Sequence, residues 1–313
     1  MTGQGRWPSF ERVMSDDSDL DGHVTRVEFK GPPALFDRID RNRDGMLTKA
    51  DFEQEVPPIE GFKLDGDKWT FEDKDLSIHG ILLKPDGDGP FPAIVISHGA
   101  EGSAEDFALP KAKEMVKWGF VCIGPTYTHT IEGPRRDAPS PIGQIEGEPT
   151  KVANQVPAAR KLRSDVGASP ENIRRAIKCV EILESLPYVD RKRIYAYGNS
   201  MGAFVTIGLA AAIPDRIAAC AITAGGVDKT HNIYPSIEEA ERIRSPFMII
   251  HGGSDKTVPP ERSLWLKEVL DKNKVPNERH VFEGIPHPVH RIKSDEVFQL
   301  MRDWFEKQGI LRK

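Results

Sequence analysis

Five consecutive residues, Gly198-Asn199-Ser200-Met201-Gly202, carry the clearest chemical signal in this sequence of 313 residues. They follow segment 193–197, which is typical of a strand, and lead into the helix-forming segment 201–212. A serine between two glycines at such a junction is typical of a sharp, strained turn that exposes the hydroxyl. Larger residues at the two glycines would collide with the adjoining strand and helix. The pattern therefore predicts covalent catalysis by Ser200.

A serine nucleophile needs a base and a carboxylate that orients the base, and in this arrangement both follow the serine along the chain. Asp255 lies in a loop directly after the apolar run 247–250, and His287 follows a short predicted strand. His287 would accept the proton of Ser200, and Asp255 would hold the imidazole in place. His290 is an alternative base, but His287 is closer to the strand end and is the one we predict.

The negative charge that develops on a carbonyl under attack needs two hydrogen-bond donors. One is expected to be the backbone N–H of Met201, the residue after the nucleophile. The other is expected to be the backbone N–H of Ala100, in the turn that His98-Gly99 opens after an apolar strand. Glu101 is the alternative for this second donor.

Taken together, four segments resemble one branch of a known family: His98-Gly99, the Ser200 pentapeptide, His251-Gly252-Gly253-Ser254-Asp255 and His287. They resemble the dienelactone-hydrolase-like branch of the α/β-hydrolases, over about residues 67–310. The resemblance implies hydrolysis of carboxylic esters with no cofactor in the catalytic centre. Dienelactone hydrolases carry a cysteine nucleophile where this chain has serine, which favours a general carboxylesterase acting on a small or medium ester. A serine peptidase of the prolyl-oligopeptidase type shares these motifs and ranks second, because residues 1–66 do not contain a propeller pattern.

The elements that must position these residues are predicted from hydropathy patterns. Residues 93–97 form a continuous apolar run, which is typical of a strand buried on both faces of a parallel sheet. Strands are predicted at residues 68–72, 76–83, 93–97, 120–123, 193–197, 217–223, 247–250 and 280–282, the first two antiparallel. Helices are predicted at residues 104–118, 170–186, 201–212, 260–271 and 297–308. This alternation predicts a mostly parallel sheet with helices on both faces. The resemblance implies that residues 67–313 have the α/β-hydrolase fold.

Residues 126–165 fit neither pattern, and such a length is unusual for a connection inside a compact domain. We expect a lid or insertion there, since long insertions on a catalytic face usually serve binding.

An acidic segment, residues 17–28, matches the calcium-loop pattern D-x-[DN]-x-[DN]-G-x₅-E at every position. Calcium prefers oxygen ligands, and the loop offers them from side chains and one backbone carbonyl. The expected ligands are Asp17, Asp19, Asp21, the carbonyl of His23, and Glu28. Gly22 permits the tight turn.

A second loop, residues 40–51, offers a similar ligand set that ends in aspartate instead of glutamate. Its expected ligands are Asp40, Asn42, Asp44, the carbonyl of Met46, and Asp51. Both loops resemble EF-hands, so residues 1–55 are predicted to be a small α-helical pair in which Ca²⁺ is structural. The close spacing of the loops is also similar to dockerin modules, which implies a protein partner for this unit. A second functional hypothesis is therefore a calcium-dependent scaffold whose hydrolase domain is idle.

Composition bounds what else the chain can be. The net charge of −5 comes mostly from residues 1–55, which contain twelve acidic and eight basic residues. The sequence has no basic stripe of the kind that indicates nucleic-acid binding, so we do not expect a nucleic-acid partner. Residues 56–66, rich in proline and glycine, are expected to be a linker.

No apolar run reaches 18 residues, so no membrane span is expected. Without an apolar signal-peptide core, we expect either a cytoplasmic protein or an exported one whose signal peptide is absent from this chain. Three cysteines are expected to be inert buried thiols: Cys122, Cys179 and Cys220.

Overall fold

The computed structural model describes residues 10–40, 44–52, 59–100, 102–130, 166–229 and 234–310. The chain divides into two compact units, Met1–Pro58 and Ile59–Lys313. The linker predicted over residues 56–66 is wrong in part. Phe62–Asp65 is a strand of the second unit, because its backbone pairs with Lys68–Glu72. Of the predicted insertion, residues 126–130 are described and residues 131–165 lie outside the described residues.

The first unit consists of short helices and two short strands. In chain order these are α1 (Phe10–Met14), β1 (Val24–Thr25), α2 (Pro33–Ile39), β2 (Met46–Leu47) and α3 (Lys49–Phe52). Strands β1 and β2 are antiparallel and pair Val24 with Leu47. A small core holds the unit together, formed by Val13, Val24, Phe36, Ile39 and Leu47. The phenyl ring of Phe29 packs edge-on against Phe36, with ring centroids 5.6 Å apart.

The second unit is built on a sheet that has nine strands among the described residues. Its strands are β3 (Phe62–Asp65), β4 (Lys68–Glu72), β5 (Ser77–Leu83), β6 (Phe91–Ser97), β7 (Val121–Pro125), β8 (Val189–Asn199), β9 (Ala219–Thr223), β10 (Phe247–Gly252) and β11 (Asn277–Phe282). Their spatial order is β11-β10-β9-β8-β6-β7-β5-β4-β3. The strands from β6 to β11 pair in parallel, with β7 beside β6, whereas β3, β4 and β5 are antiparallel additions. The predicted mainly parallel sheet is confirmed.

Helices cover both faces of this sheet. They are α4 (Leu109–Met115), α5 (Pro170–Ser185), α6 (Met201–Ala212), α7 (Ile237–Ala240), α8 (Pro260–Lys272), α9 (Val289–Ile292) and α10 (Ser294–Lys307). A π-helical turn, Ala104–Ala108, precedes α4, and a 3₁₀ turn, Val116–Trp118, follows it. Helix α5 begins where Ser169 Oγ accepts a hydrogen bond from the backbone N–H of Asn172, with proline in the first turn.

Strand β6 shows why two apolar layers form. Alternate side chains of a strand point to opposite faces. Ala93 and Val95 accordingly join the core that contains α5, α6 and α8, whereas Ile94 and Ile96 join the core that contains α4 and α10. The three cysteines are buried and free, and burial raises the pKa of each thiol. Among the helices described, none is long and apolar enough to cross a membrane.

Candidate active site

Ser200 lies at the junction between β8 and α6, in a backbone conformation that side chains rarely adopt. Its φ is 54° and its ψ is −115°. A positive φ at a non-glycine residue is strained, and the surrounding structure must hold it. Part of that support is a hydrogen bond of 2.9 Å from the N–H of Ser200 to the carbonyl of Thr223 at the end of β9. The sharp turn predicted from the pentapeptide is therefore present.

The two glycines that flank this turn lie where no side chain fits. A Cβ added to Gly198 would lie 2.0 Å from the carbonyl oxygen of Gly202. A Cβ added to Gly202 would lie 2.1 Å from the carbonyl oxygen of Ser97. Both contacts are with backbone atoms, which cannot move aside as a flexible side chain can. The close packing of strand, turn and helix therefore requires glycine on both sides of Ser200.

A continuous chain of hydrogen bonds joins the three residues predicted to act together. His287 Nε2 lies 2.9 Å from Ser200 Oγ, and His287 Nδ1 lies 2.7 Å from Asp255 Oδ2. Both distances lie within the range of direct hydrogen bonds. Because a carboxylate only accepts, His287 Nδ1 carries a proton, which leaves Nε2 of the neutral ring to accept the proton of Ser200. Three parts of the chain thus meet at the carboxyl end of the parallel strands.

Asp255 is buried and is surrounded by donors. Its Oδ1 accepts hydrogen bonds from the backbone N–H groups of Thr257 at 2.8 Å and Val258 at 2.9 Å. His251, which the sequence analysis named within a motif without giving it a role, places Nε2 3.2 Å from Asp255 Oδ2. Burial by itself raises the pKa of Asp255, but the hydrogen bonds from His251, His287 and Val258 outweigh it and hold the pKa below its usual range. The carboxylate is therefore ionised at neutral pH.

The alternative base, His290, packs its ring edge-on against Phe107, with centroids 5.6 Å apart. Its Nδ1 is buried and, within the described part of the chain, has no hydrogen-bond partner. Burial, reinforced by the positive charge of Lys111 and Arg291, lowers the pKa of His290 to about 3. The structure brings His287 to Ser200 instead of His290.

The two expected donors for a carbonyl oxygen belong to segments that lie next to the nucleophile. Met201 is the first residue of α6, so its N–H has no acceptor within the helix. The other donor, Ala100, follows Gly99 in a turn closed by a hydrogen bond of 3.1 Å from the N–H of Gly102 to the carbonyl of Gly99. This turn passes close to the nucleophile, since a Cβ added to Gly99 would lie 3.4 Å from Ser200 Cβ. Glu101, the alternative donor, lies outside the described residues.

A small apolar cluster adjoins these donors. It consists of Ala168, Met201, Phe204 and Val258, with the partly exposed Ala100 packed against it. Both donor residues contribute their side chains to it. The cluster therefore forms an apolar wall beside the reacting groups, and we call it the apolar wall below.

In the first unit, the first acidic loop brings three of its expected ligands together. One carboxylate oxygen each of Asp17, Asp19 and Asp21 lies within 4.8 Å of the others. Asp17 Oδ2 accepts from the N–H of Gly22 at 3.0 Å, while its Oδ1 is buried without a hydrogen-bond partner in the described chain. Glu28 accepts hydrogen bonds from Thr25 and Ser18, and these bonds, those from Thr25 first, lower the pKa of Glu28 to about 2.

The second acidic loop repeats this pattern. Asp40 Oδ2 accepts from the N–H of Gly45 at 3.0 Å, and Asp40 Oδ1 is buried and, in the described chain, unpartnered. Asp51 takes the place of Glu28 and accepts from Thr48. The backbone N–H groups of His23 and Met46 donate to Asp21 and Asp44 respectively, each at 2.9 Å. Asn42 lies outside the described residues.

The fold and the geometry around Ser200 define a serine hydrolase of the α/β-hydrolase class. Residues 78–301 match the Dienelactone hydrolase family, and the chain belongs to that family.

Individual relatives are more distant. The chain is 22% identical to Esterase EstD of Thermotoga maritima, over 90% of this chain and 78% of the esterase. A cold-adapted esterase from an Arctic intertidal metagenomic library has a similar fold, with a TM-score of 0.58 and 17% identity over 80% of this chain and 97% of that one. An acylaminoacyl peptidase from Pyrococcus horikoshii also has a TM-score of 0.58, with 18% identity over 79% of this chain. This chain spans only 42% of that peptidase and 35% of two further peptidases with similar folds.

Proposed function

We propose that the second unit hydrolyses carboxylic esters through an acyl-enzyme formed on Ser200, with His287 and Asp255 as the other members of a catalytic triad. The observation that carries the proposal is the hydrogen-bonded sequence from Ser200 Oγ to His287 to Asp255, at 2.9 and 2.7 Å. An ionised, buried Asp255 stabilises the imidazolium that forms when His287 accepts a proton.

In the first half of the reaction, Ser200 Oγ attacks the ester carbonyl carbon while His287 Nε2 takes the hydroxyl proton. The carbonyl oxygen becomes an oxyanion that accepts hydrogen bonds from the N–H groups of Met201 and Ala100. When the bond from carbon to the alcohol oxygen breaks, His287 returns its proton to the leaving alcohol. The acyl group remains bonded to Ser200.

In the second half, a water molecule replaces the alcohol. His287 takes one proton from this water as its oxygen attacks the acyl carbon, and the same two N–H groups bind the oxyanion again. The bond to Ser200 Oγ then breaks, the serine regains its proton from His287, and the carboxylic acid leaves. No further reactant is needed.

The apolar wall favours a small or medium acyl group. We place the acyl chain of a carbonyl bound to the N–H groups of Met201 and Ala100 beside this wall, which includes Phe204 and Val258. Burying apolar substrate surface there is favourable, at about 0.8 kcal/mol per methylene group. The similarity to Esterase EstD and to the cold-adapted esterase also supports ester hydrolysis.

The proposal is tested by turnover of p-nitrophenyl butyrate and by labelling with a fluorophosphonate probe. We expect wild-type turnover, and a loss of about 10⁵-fold or more in Ser200→Ala with the fold intact. Labelling should disappear in the same variant. A control is Ser77→Ala, at the exposed first residue of β5 and far in the sequence from all three reacting residues. A Ser200→Ala variant as active as the wild type would overturn the mechanism, and a wild-type chain that is neither active nor labelled would favour the idle scaffold.

Substrates with different leaving groups distinguish the esterase from the peptidase alternative. The chain resembles peptidases only in part of their length, whereas it covers 97% of the cold-adapted esterase. We therefore expect the p-nitrophenyl ester to be hydrolysed far faster than the p-nitroanilide of the same acyl group or of a short peptide. Efficient cleavage of a peptide p-nitroanilide would reassign the chain to peptidases.

We further propose that the first unit is an EF-hand-like pair that binds calcium for structural purposes. Val24 and Leu47, which pair in the β1–β2 ribbon, occupy the same position of their respective twelve-residue loops. Each loop also leaves one oxygen of its first aspartate, Asp17 or Asp40, buried and, within the described residues, without a hydrogen-bond partner. Clustered carboxylate oxygens of this kind suit Ca²⁺, whose charge would relieve their repulsion.

Calcium titration of the full chain by calorimetry tests this proposal. We expect saturable binding that weakens in Asp17→Asn and in Asp40→Asn, and an unfolding temperature that falls on chelation. Asp88→Asn, at an exposed position in the second unit, is the matched control. Binding that is unchanged in both loop variants would overturn the proposal. If chelation also reduced ester turnover, calcium would have a role beyond the first unit. A pull-down with and without calcium tests whether the first unit binds a protein partner.

A further inference from the structure

Beside the turn that contains Ala100 lies a group of polar side chains that the proposed reaction does not use. The group consists of His98, Tyr127, His129, Thr130 and Asn172, and we call it the histidine cluster. His98 and Asn172 are fully buried. The three rings pack together, with centroids 4.8 Å apart for His98 and His129 and 5.5 Å apart for Tyr127 and His129. Buried polar groups of this kind are costly unless each has a partner.

The hydrogen bonds of His98 determine where its proton lies. His98 Nδ1 is 2.8 Å from the carbonyl oxygen of Gly99, which can only accept, so Nδ1 carries the proton. Burial, and to a smaller extent the neighbouring His129, lowers the pKa of His98 to about 3, so the ring is neutral and its Nε2 is an acceptor. Thr130 Oγ1, 2.8 Å away, donates to that Nε2. The same Thr130 oxygen accepts from the N–H of Tyr127 at 2.8 Å.

The same reasoning applies to His129. Its Nε2 is 3.2 Å from the carbonyl oxygen of His98 and must donate to it. Burial lowers the pKa of His129 to about 4, so its Nδ1 is an acceptor for Asn172 Nδ2 at 3.3 Å. Asn172 Nδ2 also donates to the carbonyl of Val166 at 2.7 Å, and Asn172 Oδ1 accepts from the N–H of Thr128 at 2.9 Å. The imidazoles of His98 and His129 and the amide of Asn172 thus have one consistent assignment of donors and acceptors.

This arrangement has a consequence for the second oxyanion donor. The carbonyl of Gly99 and the N–H of Ala100 belong to the same planar peptide unit and point in opposite directions. The carbonyl of Gly99 accepts hydrogen bonds from His98 Nδ1 and from the N–H of Gly102. The bond from His98 therefore helps to fix the direction of the N–H of Ala100. His98 makes that bond only as the Nδ1–H tautomer, and Thr130 selects this tautomer by donating to Nε2. His129 holds the preceding carbonyl, that of His98 itself.

We propose that Thr130 and His129 are positioning residues that direct, through His98, the N–H of Ala100 towards the substrate carbonyl oxygen. The proposal rests on the proposed ester hydrolysis, in which Ala100 supplies one of the two oxyanion donors. Neither residue touches the reacting atoms. Their effect falls on the oxyanion and hence on the transition state, where a small misalignment reduces turnover markedly.

A series of variants at Thr130 tests the proposal. Thr130→Val has nearly the same shape but cannot donate to His98, whereas Thr130→Ser keeps the hydroxyl. With p-nitrophenyl butyrate we expect kcat to fall about tenfold to a hundredfold in Thr130→Val, with KM changed less than twofold, and to recover to within about threefold of wild type in Thr130→Ser. Thr128→Val, an exposed threonine two residues away, should behave as wild type.

A second readout separates this role from general loosening of the fold. An alkyl trifluoromethyl ketone forms a hemiketal oxyanion on the nucleophilic serine, and its inhibition constant should rise in Thr130→Val by the same factor by which kcat/KM falls. Full kcat in a folded Thr130→Val, or a rise in KM alone, overturns the proposal and leaves the proposed ester hydrolysis intact. An inactive wild-type chain would overturn both.

A pair of variants at His129 keeps the test available if Thr130→Val does not fold. His129→Phe preserves a ring against Tyr127 but loses the donor, whereas His129→Gln retains an N–H group that can reach the carbonyl of His98. We expect kcat to fall in His129→Phe and to be largely restored in His129→Gln. Equal kcat in these two variants overturns the proposal.

Discussion

His251 Nε2 lies 3.2 Å from Asp255 Oδ2, the same oxygen to which His287 Nδ1 donates at 2.7 Å. His251 is fully buried, and its Nε2 also lies 2.9 Å from the carbonyl oxygen of Val258. Both neighbours of this nitrogen are acceptors, so it carries the proton. The Asp255 carboxylate therefore receives two histidine donors on one oxygen and two backbone donors on the other, which leaves it little freedom to rotate.

Replacing His251 by phenylalanine should lower the catalytic rate without changing the residues that bind the substrate. The variant keeps a planar ring but removes one donor from Asp255, and a hydrogen bond to a charged group contributes about 1.5–3 kcal/mol. We expect kcat on p-nitrophenyl butyrate to fall roughly tenfold to a hundredfold, with KM nearly unchanged. His280→Phe, a partly exposed histidine in edge strand β11, is the control. Unchanged kcat in a folded His251→Phe would show that the other three donors suffice.

Phe204 should control the length of the acyl chain that is accepted. It is buried in the apolar wall, and the guanidinium of Arg262 lies 4.9 Å from its ring centroid. Truncation in Phe204→Ala opens space beside Met201, so longer acyl chains gain room to bind. We expect the ratio of kcat/KM for the octanoate to that for the butyrate p-nitrophenyl ester to rise about tenfold or more. Phe298→Ala, which removes a ring packed against Trp118 in another part of the fold, should leave the ratio unchanged.

The reacting residues could be predicted because each is tied to a local pattern. Ser200 is marked by the glycines around it, and Asp255 and His287 each follow a segment read as a strand. The carboxyl ends of parallel strands meet at one edge of a sheet, so residues that follow those strands come together. Residue order and strand position therefore predict the meeting of these three side chains, although not the distances between them.

Other features depend on pairings that the local sequence does not encode. Phe62–Asp65 has three exposed side chains out of four, and it becomes a strand only because Lys68–Glu72 lies beside it. His251 looks like an isolated polar residue at the end of an apolar run, and only the fold shows that it faces Asp255. Thr130 and Asn172 are far apart in the sequence, so the histidine cluster cannot be read from either segment. For His251, the one signal in the sequence was its position in a buried strand shortly before the predicted catalytic carboxylate, Asp255.

Gly202 should not tolerate even a methyl group. Its added Cβ would meet the carbonyl oxygen of Ser97 at 2.1 Å and that of His98 at 2.7 Å, and both belong to the backbone of the oxyanion region. We expect Gly202→Ala to destabilise the fold by more than about 4 kcal/mol or to yield no soluble protein. Gly208→Ala, in the same helix α6, is the control, because the close contact of its Cβ would be with the flexible end of the Ile173 side chain and not with backbone. Urea unfolding of the two variants checks the contrast, and equal stabilities would contradict it.

The histidines with lowered pKa values should make the second unit sensitive to acid at pH values above the ordinary pKa range of carboxylic acids. Folded His98 and His290 take up a proton near pH 3 and His129 near pH 4, whereas an unfolded histidine does so near pH 6.5. Between these values the unfolded chain binds more protons than the folded one, so the free energy of unfolding decreases as the pH falls. For His129 alone the full difference corresponds to about 3 kcal/mol. Urea unfolding at pH 7.5, 6 and 5 should show this decline, with a shallower slope in His129→Gln and the wild-type slope in Thr128→Val. An unfolding free energy that is the same at pH 7.5 and pH 5 would contradict the assignment of buried, neutral imidazoles.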